Sequence, residues 1–129
     1  LSIVAIDVGL KRIGVAALVA GIAVASEPIM RKNRDQAANA VNEMLKAKKA
    51  SKLIVGLPRG GASEEEMERR IKHFVSLLSF EGEIIYMDEF GSSREALEEI
   101  GGGLTKQKDG RLDSLSALVI LKRWSDFRG

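Results

Sequence analysis

The opening of the chain leaves little choice of architecture, because it holds three apolar, β-leaning runs and no helical stripe. "SIVAIDV" (Ser2 to Val8) reads as a buried strand, and "RIGVAALVAGIAVASEPIM" supplies two more, Ile13 to Val19 and Ile22 to Ile29. Only Ala20-Gly21 separates the last two, and its glycine suits a two-residue hairpin turn. Strands joined this closely form an antiparallel meander.

The periodicity then changes. From Arg34 to Lys49 the residues Ala37, Ala40, Val41, Met44 and Leu45 recur at helical spacing, with Lys46, Lys48 and Lys49 gathered where the helix macrodipole favours cations. "KLIVGLP" (Lys52 to Pro58) is a short buried strand. Ser63 and Glu66 have capping-box spacing, and Met67, Ile71, Phe74, Val75 and Leu78 draw one apolar stripe behind them. "EIIYMDE" (Glu83 to Glu89) is a fifth strand. Ser92 and Glu95 offer a second capping box, opening a short helix through Ala96, Leu97 and Ile100 that stops at Gly101-Gly102-Gly103; a final helix runs from about Arg111 to Phe127. The order β-β-β-α-β-α-β-α-α predicts an α/β mixed sheet, with the hairpin strands on one side and parallel crossover units on the other.

With 129 residues, 45% of them apolar, the chain is expected to form one domain over 1–129. It has no cysteine, which rules out disulfide staples and thiolate metal sites and accords with a reducing cytosol. No uncharged run reaches the ~18 residues of a membrane span, and no secretory pattern opens the chain. The expectation is a soluble, cytoplasmic protein. A net charge of +2 permits a nucleic-acid partner without demanding one, so any electrostatic case rests on local clusters.

Acids stand out at three places. Asp7 ends the first apolar run, and an ionised carboxylate there needs a cap, a cation or a metal. Asp88 and Glu89 close the fifth strand, and in open α/β sheets ligands collect beyond the carboxyl ends of strands. Because the first strand and the later parallel strands share a direction, Asp7 and Glu89 are expected on one rim. Asp113 lies in the first turn of the final helix, where an acid is favourable by about 0.3–1 kcal/mol for the dipole alone. Together Asp7, Glu89 and Asp113 are all-oxygen ligands on separate elements, suited to Mg²⁺ or Mn²⁺.

"AIDVGLKRIGVA", "LIVGLP", "MDE" and "KDGRLDSLSALVIL", in this order and spacing, resemble the YqgF family of bacterial Holliday-junction resolvases, members of which are implicated in processing the 5′ end of the small-subunit ribosomal RNA precursor. The resemblance spans nearly the whole chain and implies a ribonuclease H-like fold: a five-stranded mixed sheet with helices on both faces. Carried over by motif, Asp7, Glu89 and Asp113 would be the catalytic and metal-binding acids of a nuclease. Phosphodiester hydrolysis would use two metal ions about 3.5–4 Å apart, one activating water and one stabilising the leaving oxygen. The chain departs from the family pattern after the Asp-Glu pair. Phe90 stands where an arginine is usual, and Ser92 and Ser93 stand near two usual threonines; after Pro58, "RGGAS" offers Arg59 and bare backbone in place of a polar loop.

Lys11 and Arg12 flank Asp7, and Lys106, Lys108 and Arg111 precede Asp113; with Arg59 these are the candidate nucleic-acid contacts, although solvated loops commonly carry such charges. "GLKRIG" reads more simply as a tight turn than as a phosphate loop, because Lys11 lacks the P-loop context. An actin-like sugar kinase also opens with Asp-x-Gly, but it needs a second domain to enclose ATP. His73, the one histidine, falls off the apolar stripe and reads as a surface residue, and Glu64, Glu65 and Glu66 read as first-turn helix acids without chemistry. The expected partner is nucleic acid, RNA ahead of DNA, with ribosome-assembly particles as a further partner, no membrane, and a monomeric or weakly dimeric state. Two alternatives stand beside the RNA nuclease: a resolvase of four-way DNA junctions, which requires a dimer presenting two sites, and a non-catalytic RNA or ribosome-assembly binding domain.

Overall fold

Ala20 and Gly21 both adopt positive φ, 53° and 82°. A turn of that kind matches the right-handed twist of flanking strands, and it pairs Val19 with Ile22 as the sequence predicts. The computed structural model describes residues 2–59, 63–89 and 111–128. Its strands are β1 (Ser2–Val8), β2 (Arg12–Val19), β3 (Ile22–Met30), β4 (Ala50–Pro58) and β5 (Glu83–Glu89); its helices are α1 (Arg34–Ala47), α2 (Glu64–Ser76) and α3 (Arg111–Arg128). The strands form one sheet in the order β3-β2-β1-β4-β5. β1, β2 and β3 run antiparallel, whereas β1 pairs with β4, and β4 with β5, in parallel. The mixed sheet is the one expected, and β1 sits at its centre. Among the described residues no helix is long and apolar enough to cross a membrane.

Strand side chains alternate between faces, so each face builds its own core. Val4, Ile6 and Val8 of β1 pack with Leu53 and Val55 of β4 against α1 and α2. Ala5, Ala16 and Ile54 face the other way, against Ala117, Ile120, Leu121 and Trp124 of α3. Ala5 pairs with Ala16, and Ala16 with Ala25, so a row of three alanines crosses β1, β2 and β3 under the helix. That row presents only methyl groups to α3, with larger side chains such as Ile54 and Leu18 packed beside it.

Two contacts fix the direction of α3. Near its start, the buried Ser114 Oγ accepts a 3.2 Å hydrogen bond from the backbone N–H of Val15. Near its end, Trp124 lies under the Lys52 ammonium, 5.5 Å from the ring centroid. Val15 pairs with Ile6, and Lys52 with Ile3, so the helix runs back along β1 from its carboxyl end. The Ser114 bond has a local cause. The β2–β3 register slips between Ile13 and Val15, where β3 spends Ser26 to Ile29 against fewer residues of β2. Pro28 lies inside that slip on an edge strand, the setting in which a residue without an N–H is tolerated.

The helix starts differ from expectation in one respect. Asn33 caps α1, its Oδ1 accepting from Gln36 N at 2.8 Å, while Gln36 Oε1 accepts from Lys32 N at 2.7 Å. At α2, Ser63 takes the N-cap position with φ −108° and ψ 27°, away from the extended conformation that aims a capping side chain, and it makes no side-chain cap bond. Glu66 pairs with Arg70 at 2.7 Å instead of closing a capping box. The apolar stripe holds: Ile71, Phe74 and Val75 are buried, and His73 is exposed. The expected helix through Ala96, Leu97 and Ile100, with Ser92 at its start, lies outside the described residues.

Candidate active site

Asp7 occupies the penultimate position of β1 and shares the parity of Ile3 and Ala5, so it stands on the face covered by α3. Both neighbouring strands present glycine beside it. Gly14 of β2 is its register partner, and Gly56 of β4 lies one step beyond the Ile6–Val55 pair. No strand side chain therefore crowds the carboxylate at its own level, and Gly56 in turn pairs with Met87 of β5. These glycines carried no signal in the sequence, because only the register reveals which of them flank Asp7.

Asp88 and Glu89 take successive positions, of opposite parity, at the end of β5. Asp88 has the parity of Ile84 and Tyr86 and receives Arg59 Nε at 2.6 Å on the α2 side. Glu89 has the parity of Ile85 and Met87, which pack toward α3, and its backbone closes β5 opposite Pro58. Asp113 directly precedes Ser114, within the first turn of α3. The side chains of Glu89, Asp113 and Arg111 lie outside the described ones, as do residues Lys106, Lys108 and Phe90. Among the described residues no group of three metal-ligating side chains is assembled.

Lys11 is exposed in the β1–β2 turn, and Arg12 opens β2 with the parity of Gly14 and Ala16, on the Asp7 side of the sheet. The turn is a tight one, as predicted. Gly9 N–H donates to Arg12 O at 3.0 Å, and a Cβ on Gly9 would come within 2.7 Å of that same oxygen, so glycine is required by the close approach.

Arg59 is engaged by protein acids. Besides Asp88, its guanidinium reaches Glu64 at 3.1 Å and Glu68 at 2.5 Å. It ties the segment after β4 to α2 and to the end of β5, a role that neither its own position nor the Glu64–Glu66 run announced. Hydrogen bonds to Asp88 and then Glu68 raise the Arg59 pKa further above its ordinary value. Hydrogen bonds from Lys72 and Arg59 hold the Glu68 carboxyl below its usual 4.5. A carboxyl whose folded-state pKa is depressed adds stability above its unfolded pKa and loses it as pH falls through the lower folded value. Glu68 is accordingly expected to titrate below 4.5 by NMR, and Arg59→Gln should move its midpoint upward. A midpoint unchanged by the substitution would show that Lys72 alone sets it.

The sheet order, the placement of α3 and the exit of acids at strand ends define a ribonuclease H-like fold of the resolvase type. T. thermophilus RuvC in complex with a Holliday junction substrate superposes with a TM-score of 0.58 at 12% identity, covering 97% of this chain and 96% of that one. The fowlpox virus Holliday junction resolvase gives a TM-score of 0.55 at 13% identity over 99% of both chains. A family model described as "RuvX: Holliday junction resolvase" matches residues 1–126, and the chain belongs to that family. A Campylobacter jejuni protein named "Putative pre-16S rRNA nuclease" is 57% identical over 119 residues, 92% of this chain and 93% of that protein. A Sulfurovum relative of the same name is 52% identical over 124 residues, 95% of this chain and 97% of its own length.

Proposed function

We propose that this chain is a metal-dependent nuclease that hydrolyses phosphodiester bonds and trims the 5′ end of the small-subunit ribosomal RNA precursor in the cytoplasm. The observation that carries the reading is the position of Asp7: at the carboxyl end of the central strand, on the α3 face, between Gly14 and Gly56. The parity of Glu89 and the direction of α3 support a site in which Asp7, Glu89 and Asp113 turn toward the same rim. The relatives named as pre-16S rRNA nucleases support RNA as the substrate.

The donor set fits hard divalent cations. It consists of carboxylate oxygens with no thiolate in the chain, and glycine flanks Asp7 on both neighbouring strands. Asp7, Glu89 and Asp113 would hold Mg²⁺ or Mn²⁺, and a pair of such ions supplies charge stabilisation at the phosphorus and a nucleophilic water at neutral pH. The residues of the chain do the rest. The three carboxylates come from three elements, so their spacing is fixed by the sheet and by the seating of α3. Lys11 and Arg12 would receive phosphate oxygens near the scissile bond, joined by Lys106 and Lys108 from the segment before α3 and by Arg111 at its start. Arg59 could join them only by releasing its acids. A monomer or weak dimer suffices for RNA.

The family description and the likeness to RuvC favour a second reading, cleavage of four-way DNA junctions by a dimer. Labelled ribosomal RNA precursor and a labelled four-way junction, each incubated with Mg²⁺, Mn²⁺ or chelator, separate the possibilities. The expected result is metal-dependent cutting of the RNA and no cutting with chelator. Cutting of the junction alone would establish the resolvase. Binding of RNA with neither substrate cut would leave a non-catalytic RNA-binding domain.

A further inference from the structure

On the face opposite Asp7, the ends of β1 and β3 meet the start of α1 and the body of α2 around a pocket of about 320 Å³. Val8, Ile71 and Phe74, all buried, form its floor. Three guanidinium groups, Arg31, Arg34 and Arg70, line it, and no acid does.

The three arginines are held differently. Arg31 is built in: its NH1 donates to Gly9 O at 2.6 Å, its own N–H donates to Lys11 O at 2.9 Å, and its guanidinium lies 5.2 Å over the Phe74 ring. Arg34 opens α1 and has no carboxylate partner among the described residues. Arg70 is exposed and pairs with Glu66 at 2.7 Å. Arg34 stands at the positive end of the α1 macrodipole, the unfavourable end for a cation. Burial, and then the charge of Arg34, hold the Arg31 pKa below its ordinary value. Arg31 and Arg34 thus concentrate positive charge at one spot against the dipole and each other, and of the three arginines only Arg70 has a carboxylate partner among the described residues. Such a concavity attracts an anion from outside the protein.

We propose that this pocket takes a backbone phosphate of the single-stranded nucleic acid that runs to the Asp7 rim, with Arg34 and Arg70 gripping the phosphate above the fixed Arg31. Paired guanidiniums suit phosphate oxygens geometrically. The volume, at the lower end of the roughly 300–1,000 Å³ typical of ligand sites, exceeds a bare phosphate and leaves the apolar floor for a sugar or base. Asp7 lies only two residues before Gly9, about 7 Å along an extended strand. A strand leaving the rim crosses the β1–β2 turn to reach the pocket, and there it passes Lys11 and Leu10, the latter 69% exposed. The sequence held a hint in the basic run Arg31-Lys32-Asn33-Arg34, but Arg70 is brought to it only by the packing of α2. The assignment rests on the nuclease reading only for the identity of the strand.

A short fluorescein-labelled single-stranded RNA, titrated by anisotropy across a salt series with chelator present, tests this without any contribution from cleavage. Each phosphate contact on a single strand adds about 0.7 to the slope of log affinity against log salt. Arg34→Gln and Arg70→Gln, both at exposed helical positions where glutamine is well tolerated, should each lower the slope by up to about 0.7 and weaken binding at low salt. Lys46→Gln, at the far end of α1, should change neither. Equal losses in all three variants would mean that only general charge is read, and would overturn the proposal. So would slopes unchanged by Arg34→Gln, or a native chain that binds no RNA. In a parallel melt, inorganic phosphate that stabilises the native chain but not Arg34→Gln, with RNA slopes equal, would make this a small-anion site and reject the strand. Metal-dependent cleavage alongside an unchanged slope rejects the pocket alone; a lowered slope without cleavage in the separate assay rejects the nuclease alone.

Discussion

Asp7→Asn is expected to reduce cleavage by well over the 10–100-fold that follows loss of an outer-shell partner, while leaving the metal-free protein as stable as the native chain or slightly more so. In the proposed site, three carboxylates turned to one rim would repel one another, and a divalent ion would offset that repulsion. Asparagine keeps the shape of the side chain and one oxygen acceptor but removes a negative charge, so it relieves the repulsion and disables the cation site together. Mg²⁺ at a hundred times its dissociation constant should stabilise the native chain by about 2.7 kcal/mol, because it binds only the folded state. The variant should show no such gain. Thermal melts of both proteins with and without Mg²⁺ measure this. If Asp7→Asn lowers the stability of the metal-free protein by several kcal/mol, Asp7 serves the fold, and the proposed site loses its central ligand.

Ser114→Ala is expected to cost about 1–3 kcal/mol, the penalty for leaving a buried donor unsatisfied. The donor is the Val15 N–H, whose bond to Ser114 Oγ spans 99 residues of sequence, and alanine offers it nothing. The melting temperature should fall by several degrees, and the Val15 amide should lose hydrogen-exchange protection while its strand neighbours keep theirs. Activity should fall as well, since Ser114 directly follows Asp113 and anchors the turn that carries it. Unchanged exchange at Val15 would mean that the amide finds another acceptor, and unchanged activity would separate the seating of α3 from the chemistry.

The legible parts of this protein are those written in local pattern. The Ala20-Gly21 turn, the alternating strands and the α2 stripe are short-range signals, and the sheet order followed from them. Ser63 and Glu66 matched a capping pattern by spacing alone, and the backbone at Ser63 did not adopt the conformation the pattern needs. What the sequence withheld are pairings across long separations: Ser114 with Val15, Arg59 with Asp88 and Glu68, and Gly14 and Gly56 beside Asp7. In each, residue type is uninformative until the register and the seating of helices bring the partners together. Asp7 stands out as a candidate because a charge at the end of an apolar strand contradicts its surroundings. That contradiction is visible without any neighbour.

The bond between Ser114 and Val15 also bears on when the protein can act. Asp7 and all five strands are synthesised before the first turn of α3, and until that helix arrives the alanine row and Ile54 have no cover on their side of the sheet. A chain emerging from the ribosome therefore lacks Asp113 of the proposed acid set and carries a bare apolar surface. The last helix closes both at once. If Asp113 belongs to the proposed site, a nuclease assembled in this order is inert while it is being made, and RNA beside the nascent chain is safe from it until α3 has been translated and docked.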